Sequence, residues 1–342
     1  MISTFIKAVG SRVSLYFAEL PYNLKWQIRP DPQLMAFLKE SPITVLDIGA
    51  RGGEIPELRS LKKGISYIGF DADKSEAQRL SQKNTEYHSF RVFPYFVGGK
   101  NINVNFHLYR NRGESSCQYP SPYYQSAFAG DGFVIEDTIS VTTTALDDIC
   151  ETEKINSVDV FKLDVQGGEL AVLEDAETIL KTTSLIEVEV EFFPMYEGNP
   201  LFHDIAKFLH QRGYMLLFLN RVFIGRKSFK GPSRGQLIFG DALFGLRPEK
   251  VAELSAHQQA KYIVLLTQYG HLDYADELLH AHPNAAALIP TISRYCRHRW
   301  SSLMSLPGRV IGMQLDKFIA GLLLLRKTNQ MRCDSDRSWP TN

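Results

Sequence analysis

The sequence predicts an α/β fold in which helices cover both faces of a mostly parallel sheet. From residue 44 onward, short apolar runs alternate with polar stretches of helical periodicity, as a parallel sheet with covering helices requires. Two apolar runs end in an acidic residue, Asp47 and Asp71, and a glycine-rich turn follows the first. A chain of 342 residues with 44% hydrophobic content is long enough to bury such a core.

The strands are predicted from apolar runs bounded by turn residues. We expect them at residues 44–48, 66–70, 90–97, 101–109, 158–163, 185–190, 214–219 and 236–239. The segment 101–109 alternates in polarity, as an exposed hairpin or edge strand does.

The helices are predicted from apolar residues at helical spacing. We expect them at residues 2–20, 32–39, 203–212, 249–268, 272–282 and 310–325. These divide the chain into an N-terminal helical segment (1–40), an α/β domain (41–244), an accessory helical region (245–330) and a flexible tail (331–342). The accessory helices are expected to pack on the sheet or on another subunit.

The turn in residues 44–53 (TVLDIGARGG) is a candidate ligand site. Gly49, Gly52 and Gly53 would let the backbone approach a ligand where a Cβ would collide. Asp71 ends the next strand, roughly 20 residues after Asp47, which is the spacing at which an acid binds a ribose diol. A purely structural turn is the competing interpretation. The Gly-x-Gly-x-x-Gly pattern typical of NAD sites is missing.

A second block, residues 162–170 (KLDVQGGEL), places Asp164 at the end of a strand. The carboxyl ends of parallel strands form the edge where open α/β sheets bind ligands, so Asp164 is a candidate catalytic residue. Glu187, Glu189 and Glu191 alternate along a strand and therefore share one face. Glu189 and Glu191 are further candidates for a general base, and the sequence does not choose between them; an exposed sheet edge is the alternative.

Three other segments carry weaker signals. Residues 110–132 are rich in Gly, Ser, Pro and Tyr and predict either a ligand-facing lid or a disordered insertion. The basic loop 221–234 could meet a phosphate or an anionic glycan, or be an ordinary solvated loop. Asp147 and Asp148 are expected to cap the start of a helix.

Composition excludes several classes of protein. Lys+Arg and Asp+Glu both number 38, so no net charge recruits nucleic acid. Four separated cysteines and scattered histidines indicate reduced thiols and no metal site. No signal peptide or transmembrane run is recognised, so we expect a cytoplasmic protein. The helix at 2–20 leaves peripheral membrane association open.

The ordered motifs resemble those of FkbM-type methyltransferases. Residues 146–149 (LDDI), 162–170 and 189–198 (EVEFFPMYEG) each look like their counterparts in that family, and the resemblance covers residues 43–220. It implies a class I methyltransferase fold, Rossmann-like, with seven mostly parallel strands closed by an antiparallel hairpin at 214–219 and 236–239. It also implies S-adenosyl-L-methionine as the cofactor and O-methylation of a sugar, glycan or natural-product hydroxyl.

The resemblance assigns roles to individual residues. It implies that Asp47, Gly49 and Gly53 form the turn at the methionine end of the cofactor and that Asp71 holds the ribose hydroxyls. The family's usual Glu-Pro pair at that point is replaced by Asp71-Ala72. Expected partners are a small-molecule or glycan hydroxyl acceptor and a second copy or another protein at the C-terminal helices. A catalytically silent module that acts as a scaffold in glycan synthesis is the alternative function.

Overall fold

A computed structural model describes residues 28–83, 85–100, 102–231, 233–296 and 332–334. The helices expected at residues 2–20 and 310–325 lie outside the described residues.

Ten strands are found in this part of the chain. They are β1 Ile43–Ile48, β2 Ile65–Phe70, β3 Ser89–Phe93, β4 Asn103–Tyr109, β5 Ile135–Thr142, β6 Val160–Leu163, β7 Leu185–Glu191, β8 Tyr214–Ile224, β9 Gln236–Leu246 and β10 Arg332–Asp334.

Helices connect most of these strands. The described α-helices are α1 Pro32–Glu40, α2 Lys74–Ser81, α3 Pro122–Ala127, α4 Leu146–Thr152, α5 Glu169–Glu174, α6 Glu177–Leu180, α7 Phe202–Gln211, α8 Pro248–Val251, α9 Ala256–Gln268, α10 Leu272–Ala281, α11 Pro283–Leu288 and α12 Ser293–Cys296. Short 3-10 segments lie at Pro56–Gly64, Arg112–Glu114 and Asp131–Phe133.

The main sheet has the order β10-β8-β9-β7-β6-β1-β2-β3, and β4 and β5 form a separate antiparallel hairpin. Strands β3, β2, β1, β6 and β7 are parallel, whereas β9 runs antiparallel to both β7 and β8. The predicted seven-stranded, mostly parallel sheet with a closing hairpin is confirmed, and β10 adds an eighth strand at its edge. The carboxyl ends of β1, β2, β6 and β7 share one edge, which we call the carboxyl edge.

The closing hairpin is longer than the sequence predicts. β8 and β9 have 11 residues each, because Asn220 and Arg221 continue the ladder opposite Asp241 and Gly240 beyond the apolar runs. β10, from the segment predicted as a flexible tail, pairs with the outer edge of β8.

Residues 110–132, expected to be a lid or a disordered insertion, fold into α3 and two 3-10 segments. Residues 110–132 are held in this folded form by the burial of aromatic side chains. Tyr109, Tyr124 and Phe133 pack together with Tyr196, which follows β7, in a second hydrophobic cluster beside the main core. Strand β5 was not predicted because most of its residues are exposed and lack an apolar run.

The accessory helices pack on the sheet. The predicted helix 249–268 is interrupted, because Ser255 caps a new helix, α9, through the backbone N–H of Gln258. Gln268 at the end of α9 accepts a hydrogen bond from the Ile28 N–H at 3.1 Å. Helices α9 and α10 belong to the same hydrophobic core as the strands.

A buried ion pair joins α9 to the sheet. Asp159 Oδ2 lies 2.7 Å from Lys261 Nζ and accepts a second hydrogen bond from the Thr44 N–H at 2.8 Å. Burial raises the pKa of Asp159, and the charge of Lys261 opposes that shift. The carboxylate therefore depends on Lys261 to remain ionised inside the protein.

We expect Lys261→Met to lower the free energy of unfolding by about 3–5 kcal/mol, because it leaves a buried carboxylate unpaired. Urea unfolding at neutral pH measures the loss. The double variant Asp159→Asn/Lys261→Met should recover part of it, since no unpaired charge is left. A loss below about 1 kcal/mol in the single variant, typical of a surface pair, would contradict this account.

Candidate active site

The glycine turn after β1 lies at the carboxyl edge, and its backbone requires glycine. Gly49, Gly52 and Gly53 have φ angles of +84°, +89° and +65°, which other residues rarely adopt. A Cβ on Gly49 would lie 2.0 Å from the carbonyl oxygen of Asp164, whereas one on Gly52 would meet nothing within 4 Å. The backbone of the turn is therefore in close contact with the end of β6 at Gly49, and there is open space next to Gly52.

Asp71 lies at the carboxyl end of β2, as expected from its position in the sequence. Its backbone N–H donates to the Phe93 carbonyl at 3.2 Å, and its Oδ1 accepts from the Asp73 N–H at 2.8 Å. Burial raises the pKa of this carboxyl group. Because Oδ1 of Asp71 is engaged by the Asp73 N–H, its Oδ2 is the oxygen left to bind a ligand at the edge of the sheet, next to the glycine turn.

The N-terminal end of α2 braces the outer side of the glycine turn. Asp73 caps α2 by accepting from the Ser75 N–H at 2.9 Å, and it lies 4.0 Å from the Arg51 guanidinium. Glu76 accepts a hydrogen bond from the Gly52 N–H at 3.3 Å. The turn is consequently held on both sides, by β6 and by α2.

Asp47 lies buried beneath the turn, on a face of the sheet. Tyr67 Oη donates to its Oδ2 at 2.5 Å, and Lys162 Nζ lies 3.6 Å from its Oδ1. Burial raises the pKa of Asp47, although Lys162 and Tyr67 oppose the shift. Asp47 therefore joins β1 to its two neighbouring strands, through Tyr67 on β2 and Lys162 on β6.

Lys162 was not identified by sequence reasoning as a site residue. It stands beside Asp47 in the β1–β6 register, and its Nζ is also 4.0 Å from Asp164 Oδ2. Although burial alone would lower the pKa of Lys162, Asp47 and Asp164 raise it, so the side chain stays charged. The sequence feature that could have identified Lys162 is its position as a single charged residue within an otherwise apolar strand.

Gln166 joins two of the three carboxylates predicted as catalytic, Asp164 and Glu189. Its Nε2 donates to Asp164 Oδ1 at 2.7 Å and to Glu189 Oε1 at 3.0 Å, while its Oε1 lies 3.2 Å from Tyr196 Oη. The φ angle of Gln166 is +56°, a strained value for a residue with a side chain. This second residue missed by the sequence reasoning brings Asp164 and Glu189 together.

The paired carboxyl groups differ in environment. The Asp164 side chain is 39% exposed at the carboxyl edge. Burial, followed by the charge of Asp164, raises the pKa of Glu189 well above its usual value. A buried carboxyl group with a raised pKa beside a partly exposed one is typical of general acid–base chemistry.

Glu191 lies on the same face as Glu187 and Glu189 but has different partners. Its Oε2 accepts from the Met195 N–H at 2.7 Å, and its Oε1 accepts from Asn199 Nδ2 at 2.8 Å. Burial raises the pKa of Glu191 against these hydrogen bonds. The carboxylate of Glu191 thus holds the loop after β7 in place.

The folded insertion contacts the turn after β6. Ser116 Oγ donates to the Gln166 carbonyl at 2.6 Å, and Tyr196 Oη donates to the Glu114 carbonyl at 2.9 Å. Burial, followed by the charge of Asp164, raises the pKa of Glu114. The segment expected to be a lid therefore forms one wall beside Asp164.

Glu169 fixes the other side of this turn. It accepts hydrogen bonds from the Val165 N–H at 3.0 Å and from the Gly167 N–H at 3.0 Å. Burial raises its pKa to about 7.

Asp147 caps a helix other than its own. The expected position at the start of α4 is found, but the side chain accepts from the Thr178 N–H at 2.8 Å, at the start of α6. No group of three His, Cys, Asp or Glu residues in the described ranges could hold a metal ion.

The fold and the site define a class I S-adenosylmethionine-dependent methyltransferase. The strand order, the glycine turn and the acid at the end of β2 are the features on which this class is based. Residues 47–216 match the model of the methyltransferase FkbM domain, and the chain belongs to that family.

Known proteins share parts of this chain. The 2-O-methyltransferase NoeI of Sinorhizobium fredii (strain NBRC 101917 / NGR234) is 26% identical over 179 residues, which is 49% of this chain and 71% of NoeI. Magnesium protoporphyrin IX methyltransferase from Synechocystis PCC 6803 has a TM-score of 0.31 at 11% identity, covering 70% of this chain and 97% of that one. The 23S rRNA methyltransferase ErmE has a TM-score of 0.30 at 12% identity, covering 70% and 78%. Structural similarity at that level carries no argument about function.

We expect Gly49→Ala to destabilise the protein more than Gly52→Ala. Both substitutions put a side chain at positive φ, which costs about 1–2 kcal/mol, but the Cβ at position 49 also collides with the Asp164 carbonyl. Urea unfolding of the two variants isolates the collision, because the φ penalty is shared. Equal losses would mean that β1 and β6 do not approach this closely.

The buried carboxyl group of Glu187 should make the free energy of unfolding depend on pH. Burial raises its pKa from 4.5 to about 7, although Lys162 and the hydroxyl of Tyr269, 3.1 Å from its Oε2, oppose the shift. The folded state therefore retains a proton that the unfolded chain loses. The stability from this group is complete below about pH 4.5 and is lost as the pH rises through 7.

The Glu187→Gln variant should therefore gain stability relative to the parent protein between about pH 5 and pH 8, by about 3 kcal/mol at most. Urea unfolding across this range measures the difference. Glu174→Gln, at an exposed position on α5, is the control and should show a constant difference. A constant difference for Glu187→Gln as well would show that Glu187 does not take up a proton on folding.

Proposed function

We propose that this methyltransferase transfers a methyl group to a hydroxyl oxygen, with Asp164 and Glu189 as the catalytic carboxyl groups. The observation that carries the proposal is the Gln166 bridge, which holds these two acids together at the carboxyl edge beside the glycine turn. A hydroxyl oxygen must lose its proton as it is methylated, and a carboxylate pair supplies an acceptor for that proton.

The residues at the edge fit S-adenosylmethionine. The turn at Gly49, Gly52 and Gly53 leaves open space at Gly52 for a ligand to approach the backbone, and Asp71 offers a carboxylate oxygen to a ribose diol. Asp47 would keep β1, the strand that leads into the turn, in register with β2 and β6 through Tyr67 and Lys162. When bound, the cofactor supplies a methyl group on a sulfonium.

Asp164 is the better placed of the two acids to meet the acceptor. Its side chain is partly exposed and can accept the proton of the acceptor hydroxyl, whereas burial raises the pKa of Glu189 and favours its protonated form. Glu191, also predicted as a base, has both oxygens engaged by the loop after β7. We therefore assign Glu191 a positioning role.

The acceptor class is proposed as a sugar, glycan or natural-product hydroxyl. The similarity to a 2-O-methyltransferase favours a hydroxyl oxygen as the methylated atom. The wall formed by the insertion also presents Tyr119, which is 56% exposed and tilted against His107 with 4.2 Å between ring centroids. An aromatic face of this kind suits the apolar face of a sugar ring.

We expect Glu189→Gln and Asp164→Asn to bind S-adenosylmethionine with unchanged affinity and to lower kcat by about 100- to 10,000-fold, the range of general-base catalysis. Calorimetry measures the binding. Transfer of labelled methyl to a panel of sugar and natural-product hydroxyls measures kcat.

Glu197→Gln is the matched control, because Glu197 is exposed on the loop after β7 and should leave both quantities unchanged. Full turnover in both Glu189→Gln and Asp164→Asn would refute the carboxylate pair. Cofactor binding without transfer to any hydroxyl acceptor in the panel would favour the scaffold function.

A further inference from the structure

An exposed patch of basic and aromatic side chains surrounds the tip of the β8–β9 hairpin. This hairpin-tip patch consists of Tyr123, Arg226, Lys227, Phe229, Lys230 and Arg234, all on the exposed surface. Residues 225–235 contain four Lys or Arg and no Asp or Glu, in a chain whose formal net charge is zero. The positive charge is therefore concentrated locally.

The patch lies at the carboxyl edge of the sheet. Because β7 and β8 are both antiparallel to β9, β8 runs parallel to β7 and ends at the same edge. Glu191, the last residue of β7, is opposite Phe239, whereas the hairpin ladder continues to Ile224 opposite Gln236. The hairpin tip thus projects beyond the edge that carries the proposed catalytic site.

Contacts with the folded insertion hold the base of the tip. The Lys227 N–H donates to the Ala127 carbonyl at 2.8 Å, and Lys227 Nζ donates to the Gln125 carbonyl at 2.8 Å. The Arg226 guanidinium lies 5.1 Å from the ring centroid of Phe128. That ring is 6.2 Å from the ring of Tyr123, so the helix α3 and the hairpin present one continuous surface.

Two large aromatic side chains are exposed among these cations. Phe229 is 50% exposed in a turn closed by its N–H to the Arg226 carbonyl, and Tyr123 is 53% exposed. Exposed apolar rings beside lysine and arginine suit a lipid interface, where rings enter the headgroup region and cations meet anionic lipids. A soluble phosphate would instead be bound by cations that converge in a cavity.

We propose that the hairpin-tip patch docks the protein on an anionic lipid surface, with the carboxyl edge facing the bilayer. No described helix is long and apolar enough to cross a membrane, so this attachment would be peripheral. Docking depends on the patch and not on methyl transfer. It would present the site to hydroxyl acceptors held at the membrane surface.

Co-sedimentation with lipid vesicles tests the proposal. The full chain should bind vesicles of phosphatidylglycerol mixed with phosphatidylcholine, should bind pure phosphatidylcholine vesicles much more weakly, and should be released as salt is raised. Lys230→Gln/Arg234→Gln should lower the partition coefficient by about 30-fold, since each basic residue contributes about 1 kcal/mol. Phe229→Ser should weaken binding further at high salt, where the apolar contact dominates.

The matched control is Lys39→Gln/Lys181→Gln, which removes the same charge from exposed lysines at the opposite edge, where β1 and β7 begin. Its vesicle binding should equal that of the parent protein. Thermal unfolding and cofactor calorimetry should be unchanged in all these variants. Equal losses in both double variants, or a parent protein that binds inorganic phosphate but not anionic vesicles, would overturn the proposal.

Discussion

The charge of Lys162 makes the rest of the site possible. Its ammonium group lies between Asp47 and Asp164 on neighbouring strands, in a face of the sheet that also carries Glu187. Buried carboxylates are costly without a compensating cation. With Lys162 charged, Asp47 can stay buried in β1 next to the glycine turn, and Asp164 has a cation 4.0 Å away at the carboxyl edge.

Backbone geometry then determines where these groups point. The contact between Gly49 and the end of β6 places the cofactor turn beside Asp164, and the left-handed conformation of Gln166 turns its amide back toward both acids. Strained backbone of this kind persists only where the surroundings hold it in place. Here Ser116, Tyr196 and Glu169 supply those contacts.

Segments outside the sheet complete the site and the stability of the domain. The insertion between β4 and β5 packs in the second hydrophobic cluster, which includes Tyr196 after β7, and forms one wall of the site; it also supports the hairpin tip through α3. The C-terminal helices share the main core and contribute Lys261 to a buried ion pair. Neither segment is an independent appendage.

The sequence by itself determined the α/β class, the strands near whose ends Asp47, Asp71 and Asp164 lie, and the family, because these depend on local periodicity and on motifs read along the chain. It also placed Glu187, Glu189 and Glu191 on one face, since alternation along a strand is local. Only the tertiary structure separated Glu189, which pairs with Asp164 through Gln166, from Glu191, which holds a loop.

The tertiary structure likewise decided the parts that depend on contacts between distant segments. The partners of Lys162 follow from strand register, and the order in residues 110–132 comes from aromatic packing against residues after β7. The position of the basic loop at the carboxyl edge follows from the direction of β8 within the sheet. Such contacts leave no periodic signal in the sequence, because each residue's partner lies tens of positions away and is chosen by the fold.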